Sequence, residues 1–383
     1  MIHIVSIPAD GTAFEAFLDV PRTIHDQDSR WRVRSSARTR RLLDRGLNPF
    51  WRQAEYALFM AWAGERPVGR ISATRRILTG QHAAGTKEDF CGFFESIPDP
   101  EVAGGLLNAA ADWLRARGCI RMLGPCQPTP DFDGFGLLVE GFDAPRVGGE
   151  SFNPDYYPTL FAMCGLHKAS DYFSFQNQLR DNPVLDTAMA RLERYRARHA
   201  VARVREFDVA HFERDTAIVQ EILTRAYGDQ PLYAPLDCET YAYQLQTITR
   251  WEDMHWFMIV EIDGHPVGVN LLAPNEEERL RDEPILGIGT CEFSILPEYH
   301  HTHATATLFH ASWARAQRQG YTWASMGYQA EHHVSMHHML EKVGSVRTKR
   351  FRLYQMPLSA STESAIAGVE SIPVLQTSQP GAG

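Results

Sequence analysis

One pattern of residues occurs twice along this chain, and few folds accommodate it. EYALFMAWAGERPVGRISAT spans 55–74 and HWFMIVEIDGHPVGVNLL spans 255–272. Each reads as an apolar, β-branched and aromatic run, a turn, and a second such run opening on Pro-Val-Gly. The turns fall at Gly64 and at Asp263-Gly264, residues that accept the positive φ a tight hairpin demands. The Pro-Val-Gly triplets are Pro67–Gly69 and Pro266–Gly268.

The segments after each hairpin also repeat. A third strand is expected at 89–99 (DFCGFFESIPD) and 289–299 (GTCEFSILPEY), then a helix at 100–118 and 304–320. Val102, Leu106, Ala109, Ala110 and Trp113 recur at helical spacing, and Gly118 and Gly320 suit C-terminal caps. A strand, a short glycine-ended helix and a closing strand complete each half, the last being DYFSFQNQL and KRFRLYQM. The chain is thus read as an N-terminal domain (1–180), a linking helix (181–200), a C-terminal domain (201–357) and a disordered tail (358–383) rich in Ser, Gly, Pro and Thr.

A chain of 383 residues with 44% hydrophobic and 22% charged content can fill two cores. Its net charge of −9 argues against a nucleic-acid partner, which needs a basic face. The arginine-rich stretch 30–45 is a local exception. It reads as a solvated helix face or as a docking patch for an acidic carrier or phosphorylated cofactor. The six cysteines form no CxxC pair and suit buried free thiols of a reducing cytoplasm. No signal peptide or membrane span is expected.

The hairpin VEIDGHPVG, the acid-bearing third strand and the ending LEKVGSVRTKRFRLY together resemble the GNAT superfamily of acyltransferases. Further stretches (GFFESIPDPEVAGGLLNAAADWLRARG, GLLVEGFDAP and FNPDYYPTLFAMCGLHKASD) resemble tandem GNAT-like bacterial proteins similar to N-acyl amino acid synthases. The resemblance covers roughly 1–357. It implies an α/β fold of two tandem GNAT-like domains, each a mixed, mostly antiparallel sheet flanked by helices. It also implies an acyl-CoA or acyl-phosphopantetheine co-substrate, a small-molecule amine or amino acid as acceptor, and an acyl carrier protein as a candidate partner.

In that superfamily a glycine-bearing turn at the helix after the third strand cradles a pyrophosphate. The matching residues here are His300, His301, Thr302, His303, Ala304 and Thr305, so both glycine positions are filled, by His303 and Thr305. A helix N-terminus flanked by imidazoles still suits an anion or the arm of an acyl carrier. The matching turn of the first half, Pro98 to Glu101, is acidic and repels phosphate.

The resemblance makes Glu292 the candidate base, with Glu95 as its counterpart in the first half. The tyrosine that serves as acid in the superfamily is replaced by Leu340 and Phe161. Tyr328 and the pair Tyr156 and Tyr157 are the substitutes. Eight histidines fall between His300 and His338, and His333 and His337 are spaced to share a helix face. His300 and His333 are the catalytic candidates among them. No metal is expected, yet a histidine-ligated metal enzyme and a degenerate fold serving as a binding module are the rival readings. Asp131 and Asp133, in a Pro/Gly/Asp-rich loop, are candidate ligands for a substrate amine.

Overall fold

Both hairpins form where the turn residues allow them. In the second, Asp263 and Gly264 take φ of 51° and 79°, the left-handed pair of a two-residue turn whose twist matches its strands. The repeated glycines have a different cause. A Cβ on Gly268 would lie 2.2 Å from Ile295 Cδ1 and 2.8 Å from the Ser294 carbonyl, and one on Gly69 would lie 2.7 Å from the Glu95 carbonyl. Glycine at this point lets the third strand approach.

The computed structural model describes residues 1–26, 36–77, 88–127, 134–198, 202–228 and 235–358. Asp131, Asp133, the first part of the arginine-rich stretch and nearly all of the expected tail lie outside these. The first half comprises β1 (Ile2–Ile7), α1 (Gly11–His25), α2 (Ser36–Leu43), β2 (Ala54–Ala63), β3 (Arg66–Arg76) and β4 (Glu88–Ser96). It continues through α3 (Pro100–Arg115), β5 (Arg121–Gly124), β6 (Leu137–Glu140), α4 (Tyr157–Met163) and β7 (His167–Gln178). Helix α5 (Pro183–Arg198) connects to β8 (Ala202–Glu206), α6 (Phe212–Tyr227), α7 (Cys238–Ile248), β9 (Phe257–Ile262) and β10 (His265–Pro274). Then come α8 (Glu276–Leu280), β11 (Gly287–Ile295), α9 (Ala304–Arg318), β12 (Trp323–Ala330), α10 (Val334–Lys342) and β13 (Val346–Pro357).

The strands form one mixed, mostly antiparallel 13-stranded sheet in the order β1-β2-β3-β4-β5-β13-β7-β12-β11-β10-β9-β8, with β6 beside β13. The two repeats exchange their last strands. β13 pairs with β5 (Tyr354 opposite Gly124) and β7 with β12 (Trp323 opposite Gln178), while β7 and β13 pair with each other. The inner edges of β5 and β12 would otherwise present unpaired backbone groups; each is satisfied by the other repeat's strand.

Three principal cores form among the described residues. Helix α3 buries Val102, Leu106 and Ala110 against the first half of the sheet, and α9 buries Leu308, Phe309 and Trp313 against the second. The third core is shared: Phe17 and Val20 of α1 join one apolar cluster with Val219, Ile222 and Leu223 of α6. The cysteines divide. Cys91, Cys119 and Cys126 are buried, but Cys238 and Cys291 are exposed, which corrects the expectation of buried thiols: Cys291 is the extra residue of a β-bulge in β11 and lines an open cavity.

Candidate active site

Among the described residues two strand pairs are parallel, β4 with β5 and β11 with β12, and both pairings are short. They stop at Phe90/Leu123 in the first half and at Thr290/Met326 in the second. Beyond these points the strands splay. The splay leaves a cleft beside each third strand, at strand ends where α/β folds commonly place ligands.

The second cleft is a cavity of about 610 Å³ whose lining includes Glu292, Tyr227, His300, Thr305, Tyr328 and His333. The Tyr227 hydroxyl donates to Glu292 Oε2 at 3.2 Å. His300 Nε2 lies 2.9 Å from the Ile295 carbonyl and so donates to it. His333 precedes α10, and its ring packs on His332 with centroids 4.4 Å apart. Burial, followed by the neighbouring His332 and His337, holds its pKa below the usual imidazole value, so His333 is neutral near pH 7. Leu223, Leu236, Phe293, Met336 and Met339 make the rest of the wall largely apolar.

At the start of α9, His303 provides no side-chain cap. Thr302 Oγ1 accepts from the Ala304 amide at 3.2 Å and donates to the Tyr299 carbonyl at 2.7 Å. Helix α3 begins differently: Asp99 accepts from the Glu101 amide at 2.8 Å, and Glu101 adds a second carboxylate. The α3 terminus thus carries two carboxylates that repel an anion, whereas the first turn of α9 carries none. His301, Thr302, His303 and Ala304 are off the cavity lining, with His301 exposed and the His303 ring near Tyr195. Of His333 and His337, only His333 lines the cavity. His337 is buried against Phe173 and Phe175, with centroids at 5.6 and 5.3 Å. Among the described residues no group of three or more His, Cys, Asp or Glu could hold a metal ion.

Tyr328 lines the cavity, but its hydroxyl is occupied. It accepts from the backbone amides of Ser151 and Phe135, at 2.7 and 3.2 Å. Burial pushes its pKa well above the ordinary phenol value. Phe135 faces the second cavity while Gly134, Gly136 and Ser151 face the first. Tyr328 thus pins a wall one chain thick between the two clefts.

The first cleft is a cavity of about 280 Å³ built around Glu95. Glu95 Oε2 receives the Tyr157 hydroxyl and His25 Nε2, each at 2.7 Å, and Arg70 Nη2 lies 3.9 Å from Oε1. Burial raises the Glu95 pKa, but His25, Arg70 and Tyr157 outweigh it and hold the carboxyl below its usual value. Register shows that Glu95 and Glu292 are not counterparts. Glu95 faces Arg70, one residue after Gly69, whereas Glu292 faces Leu271, and Ser294 occupies the place of Glu95. Both acids lie on the hairpin side of the β-bulges, which fall after Arg70 and after Leu271: Glu95 is one step, and Glu292 three steps, from the residue that faces the hairpin glycine. Sequence reasoning missed Tyr227, His25 and Arg70. Arg70 did leave a trace: a charged residue in an apolar strand, PVGRISAT against PVGVNLL, is rare unless paired.

This architecture, a tandem repeat with a splayed parallel pair in each half, is the fold of tandem GNAT proteins. A tandem GNAT protein from the clavulanic acid biosynthesis pathway aligns with a TM-score of 0.60 at 12% identity, over 94% of this chain and all of that one. A probable N-acyltransferase from Enterococcus faecalis V583 aligns with a TM-score of 0.57 at 9% identity, over 94% of this chain and 73% of that one. In sequence, the chain is 26% identical over 378 residues to a bacterial ceramide synthase of Caulobacter vibrioides, covering 92% of this chain and 96% of the relative. It is 23% identical over 370 residues to protein YghO of Escherichia coli, covering 89% and 92%. No family model matches the chain.

Proposed function

We propose that this protein transfers an acyl group from a thioester, carried on CoA or on the phosphopantetheine arm of an acyl carrier, to the amine of a small molecule in the cleft between β11 and β12. The observation that carries the reading is Glu292: a carboxylate on the strand that splays from β12, held by Tyr227 and lining the larger, mostly apolar cavity. In this reading Glu292 takes a proton from the acceptor ammonium. The freed amine attacks the thioester carbonyl, the C–N bond forms, and the C–S bond breaks. The departing thiolate takes up a proton, so that thioester and amine become amide and thiol. Tyr227, already bonded to Glu292, is the candidate relay for that proton, and the neutral His333 imidazole a second acceptor. Tyr328 has a positioning role.

The carrier arm enters past His300 and Thr305, and its phosphates approach the turn His301–Thr302–His303–Ala304 at the start of α9. Of the arginine-rich stretch, Arg40 is paired with Glu15 and Arg41 stacks on Tyr243. Arg38, Arg41 and Arg45 complete the candidate docking face for an acidic carrier. The protein is expected to act in the cytoplasm; no helix among the described residues is long and apolar enough to cross a membrane.

The relative named as a ceramide synthase narrows the acceptor. A ceramide is the amide of a long-chain amino alcohol, and the apolar wall of Leu223, Leu236, Met336 and Met339 suits an aliphatic chain. The test is to incubate the purified chain with palmitoyl-CoA and sphinganine, and separately with an amino acid, following thiol release and amide formation by mass spectrometry. Amide from sphinganine that is lost in Glu292→Gln supports the reading. Acyl-CoA binding without amide from any amine would instead favour a binding module.

A further inference from the structure

The cleft between β4 and β5 takes no part in the reaction above, yet it holds a built polar site. Glu95 is fixed through one oxygen only: His25 and Tyr157 both bond Oε2. No described residue hydrogen-bonds Oε1, since Arg70 Nη2 at 3.9 Å is too far. Arg70 is 6% exposed, donates through Nη1 to the Phe17 carbonyl, and has no partner for Nε among the described residues. Burial lowers its pKa to about 10, which leaves it a cation at neutral pH. A buried acceptor and a buried donor thus face one cavity with a gap between them. Such groups are costly to leave unsatisfied.

The ligand class follows from the two charges. An ammonium bonding Glu95 would sit against the Arg70 guanidinium. A carboxylate bonding Arg70 would sit against Glu95. A hydroxyl does both, donating to the carboxylate while accepting from the guanidinium. Of the other charged groups on the wall, which include Arg38, Glu150 is engaged by Lys349, Arg146 by Glu277, Glu15 by Arg40 and Asp19 by Arg22, and these pairs do not reverse this preference. Phe93, Phe94 and Leu137 give the same cavity an apolar side.

We propose that the cleft between β4 and β5 is a second ligand site, which takes a small hydroxyl-bearing molecule with its hydroxyl bridging Glu95 Oε1 and Arg70. Saturation-transfer NMR on the full chain, with 1,2-hexanediol, hexylamine and hexanoate as probes, tests it. The diol is expected to bind saturably and more tightly than the other two. Glu95→Gln weakens diol binding at least about tenfold, as loss of a bond to a charged group does, and Glu292→Gln leaves it unchanged. Leu18→Trp, at a half-exposed position of α1 on the cavity wall, fills the space and abolishes binding. Should Glu95→Gln fail to fold, Leu18→Trp decides alone. Unsaturable diol binding, amine binding as tight as the diol, or diol binding unaffected by Leu18→Trp overturns the proposal.

Discussion

Arg70 and Glu95 stand directly opposite each other on β3 and β4, and the same two places in the second repeat are held by Val269 and Ser294. The repeats therefore share a backbone plan but not a polar plan. In the first, a buried carboxylate is clamped by His25 and Tyr157 beside a buried guanidinium. In the second, the acid lies further from the hairpin, at Glu292, beside the larger cavity.

Glu292→Gln is expected to lower the rate of amide formation by about 10²–10⁴-fold, the usual contribution of a positioned proton acceptor. The melting temperature should barely change, because Glu292 is only partly buried. Steady-state thiol release, read beside a thermal melt, checks both.

Tyr328→Phe removes the acceptor for the Ser151 and Phe135 amides. Leaving buried amides unbonded costs about 1–3 kcal/mol, and urea denaturation should show a loss of that size. Amide exchange at Ser151 and Phe135 should quicken, because the wall between the two clefts loses its fastening. Unchanged exchange would show that water replaces the hydroxyl without consequence.

The Glu95 carboxyl has a folded-state pKa below its ordinary 4.5. A depressed acid stabilises the fold fully above its unfolded pKa, and the stabilisation is lost as pH falls through the folded value. The stability difference between the wild type and Glu95→Gln should therefore be constant near neutrality and shrink as pH drops below 4.5. A difference that grows on acidification would mean that burial, and not His25 and Arg70, dominates this site.

Gly268→Ala would place its methyl group 2.2 Å from Ile295 Cδ1. A loss of about 1–3 kcal/mol is expected from such overpacking, visible as a lower denaturation midpoint.

The strand exchange bears on dissection of the chain. Residues 1–180 alone would leave β5 without β13, and 201–357 alone would leave β12 without β7. Neither piece is expected to give a cooperative melt by itself, whereas co-expression of 1–198 with 199–383 should restore one. A cooperative transition of either piece alone would show that the exchanged strands are dispensable.

The features that the amino-acid sequence determined by itself are local. The hairpin at Asp263-Gly264, the glycines that admit the third strands, and the helices beginning at Pro100 and Ala304 are written in residues within a few positions of one another. Turn chemistry, side-chain period and capping act over such distances. Glu292 and His300, singled out through the resemblance, both line the larger cavity; their place in it follows from their positions at the end of β11 and just after it. Tertiary structure alone decided which strand lies beside which, because β5 pairs with β13, a strand from the far end of the chain, and the hydrogen bonds of a strand edge do not specify their partner. It also decided that Glu95 is not the counterpart of Glu292. Glu95 is one pairing step, and Glu292 three steps, from the residue that faces the hairpin glycine, and the register of a strand is settled by the partner it meets.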